Sequence, residues 1–206
     1  MNEKSANLKG WLFWAGLVLF GALIVTVSPA ERTLGNGIKV VYVHVTLTWA
    51  GMFAYLVAGT FGLAELVMGR EKLVGWCRTV SWVAWAWFAA GLLMSLWASK
   101  VNWGAVHWTE PRFLAGLQFL GVALLLQLAI PHLPSRRLQG LIFALLAFYM
   151  MWRILGTPLV LHPESPIRSS ESLGIKLSFL SLFLLNLVAV ARVTFLLRNH
   201  RLGRAV

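Results

Sequence analysis

Apolar residues dominate six stretches of the chain, and short polar segments separate them. About 20 apolar residues in a helix, at about 1.5 Å per residue, cross the roughly 30 Å hydrocarbon core of a bilayer. Six stretches have about that length or more: 11–28, 40–68, 79–98, 113–130, 138–161 and 173–197. Inside lipid the backbone must satisfy its own hydrogen bonds, as a helix does. The pattern predicts an all-α polytopic membrane protein, with residues 1–206 forming a single six-helix membrane domain.

Composition supports this class and excludes others. The chain is 59% hydrophobic and 12% charged, whereas a soluble domain is about 45–50% apolar and about 25% charged. The net charge of +11 is spread over short loops. We therefore expect membrane lipid around the protein and no nucleic-acid partner.

The distribution of Lys and Arg predicts the orientation. With six spans both termini lie on one side of the membrane, and that side carries eleven of the 18 basic residues, against six on the other. The eleven are Lys4, Lys9, Arg70, Lys72, Arg78, Arg136, Arg137, Arg192, Arg198, Arg201 and Arg204. The positive-inside rule then places both termini in the cytoplasm.

The N-terminal segment is similar to a secretory signal, with a basic start and an apolar run before Ser28-Pro29-Ala30. The run of about 17 residues exceeds the usual apolar region of about 7–15. We expect the segment to be retained as the first span. The single Cys77 excludes an internal disulfide.

A polar, aromatic loop from Trp103 to Arg112 separates the third and fourth spans. Trp is common at membrane interfaces as an anchor, and anchoring or packing is a sufficient reason for most tryptophans here; those within the third span are interpreted as packing residues. Trp103 and Trp108 are interleaved with Gly104, Glu110 and Arg112, a spacing that a plain anchor does not require. The loop is therefore a candidate binding surface.

Two histidines share the outer face with this loop in the predicted topology. His44 lies at the outer end of the second span and His162 at the outer end of the fifth, whereas His132 and His200 lie on the cytoplasmic side. Imidazole is a common axial ligand of haem iron. The alternative is an amphipathic histidine at headgroup depth, bonded to backbone or water. A haem would also need cations for its propionates, and Lys100, Arg112 and Arg168 are candidates.

The chain resembles the haem-handling proteins of cytochrome c biogenesis, the CcmC and CcsA superfamily. Their tryptophan-rich loop reads roughly W-G-x-x-W-x-W-D-x-R, with Pro before the basic residue in one branch. Trp103 and Gly104 match its opening, Glu110 stands at its Asp, and Arg112 matches its basic position. Its two central Trp positions fall at His107 and Thr109 here, with Trp108 between them.

The histidine segments carry the resemblance further. Tyr42-Val43-His44-Val45 is similar to the family's segment before the second span, and Leu161-His162-Pro163 to the segment after the fifth. The resemblance implies that His44 and His162 are the axial ligands of haem iron. It also implies that Trp103 and Trp108 lie against the ring, with Gly104, Glu110 and Arg112 completing the haem-binding set. His107 is a weaker candidate for a third ligand.

The function implied is the transport and presentation of haem b, transiently bound, at the outer face of a prokaryotic inner membrane. The implied partners are a periplasmic haem chaperone or apocytochrome c, together with other subunits of cytochrome c maturation. No nucleophile–base pairing is evident, so we do not expect an enzyme. Two alternatives remain: a cytochrome b-like electron-transfer subunit that keeps its haem, and an assembly subunit without a cofactor.

Two further features in the spans have alternative interpretations. Ala50, Ala54, Ala58 and Gly62 recur every four residues, which suits either packing within the chain or a docking face for another subunit. Arg153 lies within the fifth span, toward its outer end, where intramembrane charge is costly. Its partner is either a carboxylate, from a propionate or Glu110, or the outer headgroups.

Overall fold

The protein is a bundle of long helices. The structure, a computed structural model, describes residues 3–158 and 166–203. Its helices are α1 Glu3–Val27, α2 Ile38–Met68, α3 Glu71–Trp103, α4 Pro111–Ala129, α5 Arg136–Leu155, the short α6 Pro166–Ser169 and α7 Leu173–Gly203, with a 3₁₀ turn at Ile130–His132. Six of them, α1 to α5 and α7, are long and apolar enough to cross a membrane, which confirms the six predicted spans.

Several helix ends differ from the predicted spans: α1 begins at Glu3 and α7 ends at Gly203, both beyond their apolar runs. Helix α5 ends at Leu155 and not at residue 161. Gly156 and Pro158 follow it, and proline disfavours helical geometry in the residue before it. Helix α3 is longer than the predicted 79–98, because its polar first and last turns continue the helix beyond the apolar run.

Close contacts of α2 with α3 and α5 form the core. A side chain at Gly51 would meet the backbone nitrogen of Phe88 at 2.6 Å. On α5, the carbonyl oxygen of Gly140 lies against Gly62 in the same way. Small residues thus let the backbones of three helices approach.

The small-residue stripe of α2 is part of this core. Ala50, Ala54 and Ala58 are buried within the chain, and Gly62 faces α5. The alternative of a docking face for another subunit is therefore wrong, because this chain's own helices already cover the stripe.

Partly buried polar side chains tie the outer helices to that core. The indole of Trp87 on α3 donates to Asn186 Oδ1 on α7 at 3.0 Å, and Asn186 Nδ2 donates to Thr46 Oγ1 on α2 at 3.3 Å. Trp85 Nε1 donates to the Leu120 carbonyl of α4 at 3.0 Å. Trp85 and Trp87 therefore serve in packing, as the sequence indicated.

The helices alternate in direction, so the bundle has two distinct ends. We call the end that carries the loop 104–110 the aromatic end; α3 finishes there and α2, α4 and α7 begin there. Pro29, just after α1, also lies there, since a side chain at Gly174 on α7 would come within 3.2 Å of its ring. The helical residues nearest the two termini, Glu3 and Gly203, lie at the opposite end.

Candidate functional site

The aromatic loop leaves α3 through a glycine whose conformation only glycine adopts freely. Gly104 has φ +75° and ψ −11°, and its N–H donates to the Lys100 carbonyl at 3.0 Å. Lys100 Nζ in turn donates to the Gly104 carbonyl at 2.8 Å. This is a left-handed helix cap, so the Trp-Gly pair of the loop has a structural role at the end of α3.

The loop enters α4 through a second cap. The carboxylate of Glu110 accepts from the backbone nitrogen of Phe113 at 2.6 Å, and Pro111 occupies the first helical position. Acidic N-caps and an N-terminal proline are both favourable there. Glu110 is buried, so its place in the structure is that of a capping residue that fixes the direction of α4.

Around these caps, aromatic rings of the loop and the adjoining helix ends form two pairs. Trp103 is 41% exposed and its ring centroid lies 6.4 Å from that of His107. Trp108 is 59% exposed and lies 5.9 Å from Phe113. His107, at a Trp position of the family signature, thus packs edge-on against the first tryptophan. The loop presents apolar ring faces that the chain itself leaves partly uncovered.

Arg112 lies in the first turn of α4, next to these rings. Its Nε is buried and has no hydrogen-bond partner among the residues that the structure describes. A buried, unpaired donor on a cation is costly.

His44 lies on α2, half-buried against α3. Its Nδ1 is 2.8 Å from the carbonyl oxygen of Gly91. Because a carbonyl oxygen only accepts hydrogen bonds, Nδ1 must be the donor, and a neutral ring then carries its lone pair on Nε2. Metal-binding histidines are commonly held by such a bond from the other ring nitrogen.

His44 and the tryptophans lie at different depths of the bundle. Gly91 precedes Trp103 by twelve residues on α3, which is about 18 Å along a helix axis. His132 lies in the 3₁₀ turn at the opposite end, and His200 is near the end of α7. His162 lies outside the described residues, so its position relative to His44 is not part of the structure.

Arg153 has partners that the sequence did not suggest. Its Nε and Nη2 donate to Gln118 Oε1 at 3.2 and 2.7 Å, and its Nη1 donates to Thr157 Oγ1 at 2.9 Å. Glu110 is not among these partners. The signal available was Gln118, a polar residue within an apolar span, because interhelical hydrogen bonds favour such residues.

Two carboxylates outside the aromatic loop have distinctive surroundings. Glu65, near the other end of α2, is 1% exposed, and its Oε2 has no hydrogen-bond partner within residues 3–158 and 166–203. Glu31, in the loop between α1 and α2, accepts from the hydroxyl and N–H of Thr33 and the N–H of Leu34. The bond from the Thr33 hydroxyl, followed by that from Leu34, lowers the pKa of Glu31.

The described residues contain no group of three or more His, Cys, Asp or Glu side chains that would hold a metal ion. The proposed iron ligands, His44 and His162, are a pair and not a group of three. His162 lies outside the described residues.

Fold and site together define a multi-pass α-helical membrane protein with a rigidly capped, aromatic loop at one end. No protein-family model matches the chain, and a search of the curated proteins finds no match.

Proposed function

We propose that the protein binds haem at its aromatic end and presents it on the outer face of the membrane for cytochrome c maturation. The observation that carries the proposal is the bond from His44 to the Gly91 carbonyl. It fixes the imidazole orientation, and Nε2 is the nitrogen proposed to ligate iron. His162 is proposed as the second axial ligand, from the sequence resemblance alone.

The loop offers the other groups that a haem contacts. Trp103 lies about 18 Å along α3 from Gly91, so its side chain would have to extend toward His44 to reach a haem ligated there. The partly exposed rings of Trp103 and Trp108 offer apolar faces to a flat macrocycle. The half-buried cation Arg112, in the first turn of α4, is proposed to pair with a propionate carboxylate. Gly104 and Glu110 would act by fixing the loop through their caps, without touching the haem themselves.

Transient binding agrees with the exposure of this loop. Haem supplies the iron redox chemistry, whose potential depends on the axial ligands. The protein's residues would hold the iron, support the ring and leave one edge open. A periplasmic haem chaperone or apocytochrome c, alongside other maturation subunits, would take the haem from that edge.

An absorbance titration of the detergent-purified protein with haem tests the proposal. We expect a saturable Soret band typical of two histidine ligands, with haem lost on extensive washing. A spectrum identical to that of haem in empty micelles would reject haem binding and favour an assembly subunit without a cofactor. Haem retained at one per chain through purification would favour the cytochrome b-like alternative.

The orientation has its own test. We propose a prokaryotic inner membrane with both termini in the cytoplasm, because of the eleven-to-six basic asymmetry. A cysteine at the exposed Ala105 should react with an impermeant maleimide in intact cells. The native Cys77 is buried and provides a low background. Labelling only after lysis would place the loop on the cytoplasmic side.

A further inference from the structure

The guanidinium of Arg153 is held in one orientation by two neighbouring helical segments. A guanidinium has five N–H groups. Three of them are engaged: two by Gln118 Oε1 on α4, and one by the Thr157 hydroxyl just beyond α5. Thr157 is itself fixed, because its hydroxyl donates to the Arg153 carbonyl at 2.6 Å.

Two N–H groups of the guanidinium remain for an external acceptor. One is on Nη1 and one is on Nη2, since each terminal nitrogen has given one of its two N–H groups to the contacts above. Such a pair matches two oxygens of a phosphate or carboxylate. The guanidinium is therefore preorganised for an oxyanion, at no further cost in ordering a long side chain.

The charge of Arg153 has no internal carboxylate partner. Within the part of the chain that the structure describes, its contacts are with the uncharged Gln118 and Thr157. The last carbonyls of α5 compensate only a fraction of a charge. An unpaired cation at a membrane span is costly, so an external anion is favoured there.

The surroundings identify the kind of anion. Arg153 lies two residues before the end of α5, which suits the depth of lipid headgroups. Its neighbours Trp152 and Leu155 are exposed, as are Leu114 and Leu117 on the adjoining helix. These apolar side chains would contact acyl chains. A small, soluble anion would gain nothing from them.

We propose that Arg153, positioned by Gln118 and Thr157, binds the phosphate of a phospholipid in the leaflet at the aromatic end. The lipid would lie across α4 and α5 and stabilise their contact. The site differs from simple snorkelling, because it requires the planar fork of arginine and the acceptor on Gln118.

Lipid-dependent stabilisation of the delipidated, full-length protein tests this proposal. The thermal midpoint is measured with added phosphatidylglycerol, with diacylglycerol of the same chains, and with inorganic phosphate. We expect only the phospholipid to raise the midpoint. Arg153→Lys, which keeps the charge and loses the fork, should weaken the phospholipid affinity by about tenfold or more.

Two other variants keep the test decisive if Arg153→Lys folds poorly. Gln118→Glu supplies an internal carboxylate, so it should keep the α4–α5 contact and lose phospholipid binding. Arg32→Lys is the matched control on an exposed loop at the same end and should behave as the native protein. An unchanged affinity in both Arg153→Lys and Gln118→Glu would overturn the proposal. Equal stabilisation by inorganic phosphate, or displacement of the lipid by haem, would also overturn it.

Discussion

The helical core and the loop at the aromatic end differ in which residues determine their structure. The core is the contact of α2 with α3 and α5. In the core, small residues bring backbones together, so that Gly51 touches Phe88 and Gly62 touches Gly140. In the loop, large rings are held at fixed positions by two helix caps and remain partly uncovered. Packing within the chain accounts for the first region. It leaves the rings of the second partly uncovered, and we propose that an external ligand contacts them.

The largest effect should come from filling the core contact. Gly51→Ala would place a methyl group 2.6 Å from the backbone nitrogen of Phe88, and backbone cannot move aside as a flexible side chain does. We expect the unfolding free energy in micelles to fall by about 2–3 kcal/mol.

Gly121→Ala is the matched control for that change, because nothing lies within 4 Å of a side chain there. It should be neutral or stabilising by up to about 1 kcal/mol, through helix propensity. Equal stability losses in the two variants would show that the close approach of α2 and α3 is not what stabilises the bundle.

A smaller loss should follow from removing the polar link between α7 and the core. Asn186→Leu keeps the volume but leaves the Trp87 indole without its acceptor and Thr46 without its donor. We expect a loss of about 1–2 kcal/mol in the unfolding free energy.

Trp87→Phe provides the reciprocal change for a double-mutant cycle. The double variant should lose less than the sum of the two single losses, since both remove the same bond. Strict additivity would mean that the Trp87–Asn186 bond contributes nothing measurable.

Substitutions in the loop should have the opposite pattern: they should change the unfolding free energy little and the haem affinity clearly. Replacing both Trp103 and Trp108 by Ala should change the unfolding free energy by only about 0.5 kcal/mol, as for exposed positions. Haem affinity should fall by about tenfold or more, since each aromatic contact adds about 0.5–1.5 kcal/mol.

Replacement by Phe sharpens this prediction, because it keeps a ring face and should restore part of the affinity. Should the double Ala variant bind haem as tightly as the native chain yet fail in cytochrome c maturation, the loop would be a docking surface for a partner.

The six spans were predicted from sequence because their cause is local, whereas the helix caps at Gly104 and Glu110 were not predicted, although they too depend on nearby residues. Span length follows from bilayer thickness, and Gly104 and Glu110-Pro111 cap helices within a few residues. The link from Trp87 to Asn186 joins residues 99 apart, and that from His44 to Gly91 joins residues 47 apart. The periodicity of the sequence does not identify such distant pairs. The orientation of His44 and the bonds from Arg153 to Gln118 and Thr157 were therefore found only in the structure.

The most direct measurement of the central claim compares haem spectra of four histidine variants under identical conditions. His44→Ala and His162→Ala should each weaken haem retention and shift the Soret band, because each would remove one axial ligand. His132→Ala, at the opposite end of the bundle, and His200→Ala should match the native protein. If the spectra and affinities of all four variants equal the native ones, haem is not ligated by His44 and His162, and the proposed site is wrong.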